Sequence, residues 1–198
     1  MIKTRITAPS NSALSLDQAR TWVNFASDIT EDDPVLLDII EEVTAYFEHE
    51  TRRCLITQTW ELGLDYAELD SIIYPPLYPL QSVTSIVTYD DAGTPTTVAP
   101  ADYQVRAGFQ PRIVLSPSGS GSWGSSIRTY DSMVITAVVG YGDAPEDIDP
   151  YVRELLKGLV NFNYRSKGSG VQEVGERLIS IPYMFQNMIN GLRMPVFG

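Results

Sequence analysis

Histidine and cysteine are nearly absent from this chain of 198 residues, which contains only His49 and Cys54. One histidine excludes a His-based catalytic triad and any multi-histidine metal site within a subunit. One cysteine excludes an intrachain disulfide and a cysteine metal cluster. Long apolar runs are missing too: no stretch approaches the roughly 20 consecutive apolar residues that span a bilayer. Met1-Ile-Lys-Thr-Arg5 is not followed by the apolar core of a signal peptide. These absences predict a soluble protein made in the cytoplasm, with no membrane partner.

Positive charge is scarce and unevenly placed. The chain carries 14 Lys and Arg against 25 Asp and Glu, a formal net charge of −11. Residues 1–149 hold eight basic and 22 acidic side chains, a balance of −14, whereas residues 150–198 hold six and three, a balance of +3. A protein built to grip nucleic acid needs a basic stripe, because neutralising phosphates supplies most of that affinity. This chain mostly repels phosphate. From Asp28 to Glu50 there is no Lys or Arg at all. The simplest reading of such an acidic helix face is that it keeps the protein soluble.

What is present is a change of period along the chain. Ser15-Leu-Asp-Gln18 has the form of a capping box, predicting a short helix that ends near Ala26. Asp33-Pro34 pairs a capping residue with a proline suited to the first helical position. Leu36, Ile40, Val43 and Phe47 follow at helical spacing, and Arg52 and Arg53 complement the carbonyl end, so a helix is expected over about 34–53. From Ile56 the repeat is two: Ile56, Gln58, Trp60, Leu62 and Leu64 alternate with Thr57, Thr59, Glu61 and Gly63. Further strands are predicted at Val83–Tyr89, Thr96–Val98, Tyr103–Arg106, Arg112–Leu115 and Met133–Val139. Asp90-Asp-Ala-Gly93 and Gly108–Pro111 supply tight connections. Asp149-Pro150 opens a helix with Val152, Leu155, Leu156, Leu159 and Val160 on one side, and a last helix begins near Pro182, burying Phe185, Met188, Ile189 and Leu192.

The expected fold class is therefore α+β. Residues 1–54 and 141–198 form one small helical body, and residues 55–140 are an inserted antiparallel β region, a small sandwich or barrel-like sheet.

Motifs that imitate catalysis fail on context. Gly119-Ser-Gly-Ser-Trp-Gly124 has dinucleotide-binding spacing, but Pro117 precedes it and a strand, not a helix, follows. His49-Glu50 begins like a zinc-protease helix, yet position 53 is Arg. The pairs Glu41-Glu42 and Asp90-Asp91 are adjacent, not convergent across a cleft. Cys54 beside Arg53 reads as packing at a helix-to-strand transition. No catalytic, cofactor-binding or metal site is expected, and the chain does not read as an enzyme.

The order of landmarks is more specific. A Leu-Ser-Leu-Asp-Gln-Ala helix is followed by an acidic Asp-Asp-Pro-Val-Leu-Leu-Asp-Ile-Ile-Glu helix that ends in Thr51-Arg-Arg-Cys-Leu-Ile-Thr-Gln-Thr-Trp60. Then come Tyr78-Pro-Leu-Gln-Ser-Val-Thr-Ser-Ile86, Ala101-Asp-Tyr103, Gly140-Tyr-Gly-Asp143 and Leu192-Arg-Met-Pro-Val-Phe-Gly198. Together these resemble the phage head-tail connector (adaptor, head-completion) family, gp6-like, in its longer members with a β insertion. The Gly/Ser-rich loop Ser116–Ser126 and the segment Ser166–Gly175 depart from that pattern.

The resemblance implies a virion protein of the neck, at the head-tail interface, assembled in the host cytoplasm. It would form a ring, typically dodecameric, beneath the portal protein, extending the DNA channel and docking a tail-side stopper or tail terminator protein. DNA would pass through without specific binding. The C-terminal segment of such adaptors reaches into the portal, and here the residues are Arg193, Met194, Pro195, Val196, Phe197 and Gly198, an extended tail suited to fill apolar pockets on a partner. A ring multiplies whatever lines its bore, so Asp38, Glu41, Glu42 and Glu48 on the acidic helix are candidate channel-lining residues. Another neck or tail-completion role, stopper or tail terminator, is the alternative. A carbohydrate-binding β module, suggested by Trp60, Trp123 and many tyrosines, is a more distant one.

Overall fold

The computed structural model describes residues 1–23, 30–66, 69–116, 122–124, 126–168 and 182–193. The chain is α+β and divides into two compact units: a β unit built on Met1–Ser10 and Thr57–Tyr141, and a helical unit built on Asn11–Ile56 and Gly142–Pro195.

In the β unit, five strands form one antiparallel sheet. In chain order they are β1 (Ile2–Thr7), β2 (Gln58–Leu64), β4 (Leu80–Tyr89), β5 (Pro95–Thr97) and β8 (Met133–Val139), and across the sheet the order is β1-β2-β8-β4-β5. A second sheet takes β3 (Ile72–Ile73), β6 (Tyr103–Arg106) and β7 (Arg112–Leu115) in the order β3-β7-β6. The two-residue repeat sets the packing, since alternate side chains share a face. Leu62 of β2 and Ile86 of β4 both pair with Ile135 on the central strand β8. All three are fully buried, as are Met133, Ala137 and Val139.

Strand β1 is not announced by periodicity, because all six of its residues are exposed. Its place comes from the ladder to β2, in which Arg5 pairs with Trp60 and lays its guanidinium 5.9 Å from the indole centroid. Strand β4 begins at Leu80, three residues before the expected Val83, because Leu80 and Ser82 continue the ladder with Val139 and Val138 across a bulge. Gly119–Gly121 of the dinucleotide-like motif lie outside the described residues. Trp123 of the same motif is buried and donates its indole N–H to the Asp70 carbonyl at 2.7 Å, a packing role.

The helical unit contains α1 (Leu16–Val23), α2 (Asp33–Thr51), α3 (Pro150–Gly168) and α4 (Tyr183–Leu192). The capping box before α1 closes in both directions: Gln18 N–H donates to Ser15 Oγ at 3.2 Å, and Ser15 N–H donates to Gln18 Oε1 at 3.1 Å. The expected end of α1 near Ala26 lies outside the described residues.

At the start of α2 the expected arrangement shifts by one residue. Asp32 is the flanking residue, Asp33 is already helical, and neither makes a side-chain capping bond to the helix. The reason is competition from a neighbour: Arg20 of α1 takes Asp33 as a bidentate partner, Nε to Oδ1 at 2.7 Å and a second contact to Oδ2. Helix α3 does start as read, with Tyr151 N–H donating to Asp149 Oδ1 at 2.8 Å.

Leu36, Ile39, Ile40, Val43 and Phe47 of α2, with Val152, Leu155, Leu156, Leu159 and Val160 of α3, make the buried core of this unit. Helix α4 buries Ile189 and covers Phe185, Met188 and Leu192 partly. Its close approach to α3 depends on Gly158, where an added Cβ would come within 2.9 Å of the Phe185 ring.

Candidate functional site

Helix α2 separates its apolar and acidic residues cleanly. With about 100° per residue, the buried stripe leaves an outer arc in which Asp38, Glu41 and Glu42 sit between Leu37 on one side and Val35 and Tyr46 on the other. All six of these residues are exposed. Glu48 differs from the other candidate acids. It is half-buried, and its Oε1 accepts the Leu55 N–H at 2.7 Å, so its carboxylate binds the chain that leaves the helix.

The end of α2 is a structural junction. Arg52 adopts left-handed backbone, φ 60°, and its N–H closes on the Glu48 carbonyl at 2.9 Å. Arg53 then reaches across to α4 and donates from Nε to the Leu192 carbonyl at 2.9 Å, while the next residue of the chain, Arg193, pairs with Glu50. The end of α4 is thereby tied to the end of the acidic helix. Of the candidate tail residues only Arg193 is described, and Met194, Pro195, Val196, Phe197 and Gly198 lie outside the described residues. Arg53 and Glu50 do not stand out in the sequence as parts of this clasp, because their partners lie about 140 residues further along.

The β unit carries a second feature, made from residues that no motif connects. The β6–β7 register sets Arg106 directly opposite Arg112, and these two with Tyr74, Tyr78, Gln110 and Pro111 line a notch of about 210 Å³. Neither guanidinium has a carboxylate partner among the described residues. The visible signal is two arginines flanking the Gly108–Pro111 connection, which only the hairpin register turns into neighbours.

Catalytic geometry does not appear among these features. Cys54 is buried, and the His49 ring is exposed beside Glu50 at 3.3 Å. Among the described residues no group of three His, Cys, Asp or Glu could hold a metal ion, and no helix is long and apolar enough to cross a membrane.

No protein family matches the sequence, and no curated protein does. Solved structures do match, over 100% of this chain and 98% of each counterpart, at 21% identity. One counterpart belongs to the virion of a native gene transfer agent (GTA) particle, with a TM-score of 0.74. A second belongs to the neck of an empty GTA particle computed with C6 symmetry, at 0.75, and a third to the neck of a native GTA particle computed with C12 symmetry, at 0.72. The chain has the fold of these GTA chains. Because the overlap is end to end, the shared GTA fold includes both the β unit and the helical unit.

Proposed function

We propose that this protein is a structural, non-enzymatic component of a virion neck: a head-tail adaptor whose copies close into a ring beneath the portal, extend the DNA channel and dock a tail-side protein. The observation that carries the proposal is the end-to-end fold match to chains in the necks of GTA particles, one of them computed with C12 symmetry. A dodecamer is the ring order that symmetry suggests. The surface chemistry agrees with such a role. Twelve copies at −11 sum to about −130 before counterions, and an acidic bore would let DNA slide where a basic one would hold it by its phosphates.

Asp38, Glu41 and Glu42 are the residues best placed to line the bore, since they occupy one exposed arc and are not needed for the core. Glu48 is the weaker member of the set, because Leu55 occupies its carboxylate. The clasp at Leu192 and Arg193 suits a C-terminal segment that leaves the body at a fixed place to enter the portal.

Cryo-electron microscopy of the assembled particle neck tests this reading. The expected map contains a closed ring of this chain in contact with the portal, with the Asp38, Glu41 and Glu42 arc of α2 turned toward the DNA. A ring separated from the portal by another protein would make it a stopper instead. Absence of the chain from purified particles would overturn the proposal, and an α2 arc on the outer wall would remove the channel-lining role alone.

A further inference from the structure

We propose that the Arg106–Arg112 notch is one half of a contact between neighbouring copies, and that the acidic β4–β5 turn at Asp90-Asp91 of the next copy is the other half. This inference rests on the ring reading above and names the residues that would join one subunit to the next.

Opposing like charges across an antiparallel pair is unfavourable unless something compensates them. Here Arg106 and Arg112 oppose each other, and among the described residues no acid lines the notch they share with Tyr74 and Tyr78. Several other cations among the described residues are engaged locally: Arg20 with Asp33, Arg53 with the Leu192 carbonyl, Arg128 with the Asp131 carbonyl, Lys157 with Glu154 and Arg193 with Glu50. Two adjacent guanidiniums bordered by aromatic rings form a receptor for a carboxylate, which arginine binds as a planar fork. Phosphate presents similar chemistry, but a DNA-binding surface needs a wider basic field than two arginines in a stretch whose charge balance is −14.

The same β unit offers a matching acid. In the turn after β4, Asp90 is consumed internally, its Oδ1 accepting Thr94 N–H at 2.7 Å and Ala92 N–H at 3.0 Å, with Gly93 at φ 80°. That leaves Asp91 exposed at the tip, without a partner among the described residues. The two features lie at opposite ends of one strand. Gly108, beside the arginines, exchanges both backbone hydrogen bonds with Leu80 at the start of β4, at 2.8 and 3.0 Å, whereas Asp90 follows Tyr89 at its end. Ten residues of strand separate them by about 30 Å, so the acid cannot reach the arginines of its own chain. Two different, complementary patches on one subunit are what a head-to-tail contact requires, and head-to-tail contacts build rings when the rotation closes.

Mixing the single variants Asp91→Cys and Arg106→Cys at high protein concentration with a short bis-maleimide cross-linker tests the contact, since the native Cys54 is buried and an arginine fork on a carboxylate holds the two Cα atoms farther apart than the roughly 7 Å that a direct disulfide allows. The expected dominant product is the mixed dimer linked 91 to 106, identified by peptide mass spectrometry. Arg106→Asp with Arg112→Asp is expected to lose self-association measured by sedimentation, and adding Asp91→Arg to the same chain is expected to restore it. Failure to form the mixed dimer, or homodimers formed as readily, overturns the proposal. So does tight binding of inorganic phosphate at the notch without cross-linking, which would reassign it to a phosphate ligand. If cross-linking fails while a ring of this chain is still seen in the particle neck, the contact is wrong and the adaptor reading stands.

Discussion

Gly142 shows how a single side-chain position holds a connection together. A Cβ there would lie 2.3 Å from Asp147 Oδ2 and 2.4 Å from Asp147 Cβ, and Oδ2 is also the acceptor for the Ala144 N–H at 3.0 Å. Gly142→Ala must expel the Asp147 side chain and break that turn just ahead of α3. Overpacking of this kind costs about 1–3 kcal/mol, read as a lower melting temperature. Gly191, inside α4, has nothing within 4 Å of a built Cβ. Gly191→Ala is expected to be neutral or to stabilise by up to about 1 kcal/mol, because alanine loses less backbone freedom in a helix. A chain in which both substitutions destabilise equally would contradict this account. At this scale the sequence was legible where the interaction is local. Ser15 with Gln18 and Asp149 before Pro150 cap as their spacing indicates. Asp33 does not, because its carboxylate answers to Arg20, a residue no local rule connects to it.

Among the elements, α2 and α3 are linked by a polar bond beside their apolar faces. Tyr164 near the end of α3 donates its hydroxyl to Asp32 Oδ2 at 2.8 Å. Burial of the phenol, helped by the bond to the Asp32 carboxylate and its charge, raises the Tyr164 pKa above its ordinary value of 10.0. The neutral phenol is thus favoured in the folded state, so its stabilising contribution is complete below pH 10 and is lost as pH rises through the folded-state value. Tyr164→Phe is expected to cost about 0.5–1.5 kcal/mol at neutral pH and to flatten the stability curve above pH 10, measured by urea unfolding across an alkaline series. An unchanged alkaline slope would show that this bond does not carry the dependence. Element types were read best where one face is buried: β8 falls on the expected residues, with every second one buried. Strand β1 has no buried face to mark it, and β3 is two residues long, so both exist only through their partners. The Arg106–Arg112 notch was illegible for a related reason, since pairing register and not spacing brings its arginines together.

For the whole molecule, the decisive question is whether the clasp at the end of α4 serves the fold or serves a partner beyond it. Arg53 holds the Leu192 carbonyl and Arg193 holds Glu50, at the last described residues of the chain. A truncation after Arg193 keeps both links and removes only Met194, Pro195, Val196, Phe197 and Gly198. Terminal segments without periodicity contribute little to a core, so the truncated protein is expected to keep its melting temperature within about 2 °C, equivalent to less than about 1 kcal/mol for a chain of this size. It is expected to lose attachment to portal-bearing capsids, measured by co-sedimentation. The variant Arg53→Ala with Glu50→Ala makes the opposite change, leaving the tail residues in place but freeing their base. If the tail enters the portal from a fixed point, this double variant should still attach, but more weakly, because ordering the freed segment adds an entropic cost to binding. A truncated chain that attaches as well as the full one would remove the portal role from residues 194–198. A truncated chain that unfolds would show that they belong to the fold.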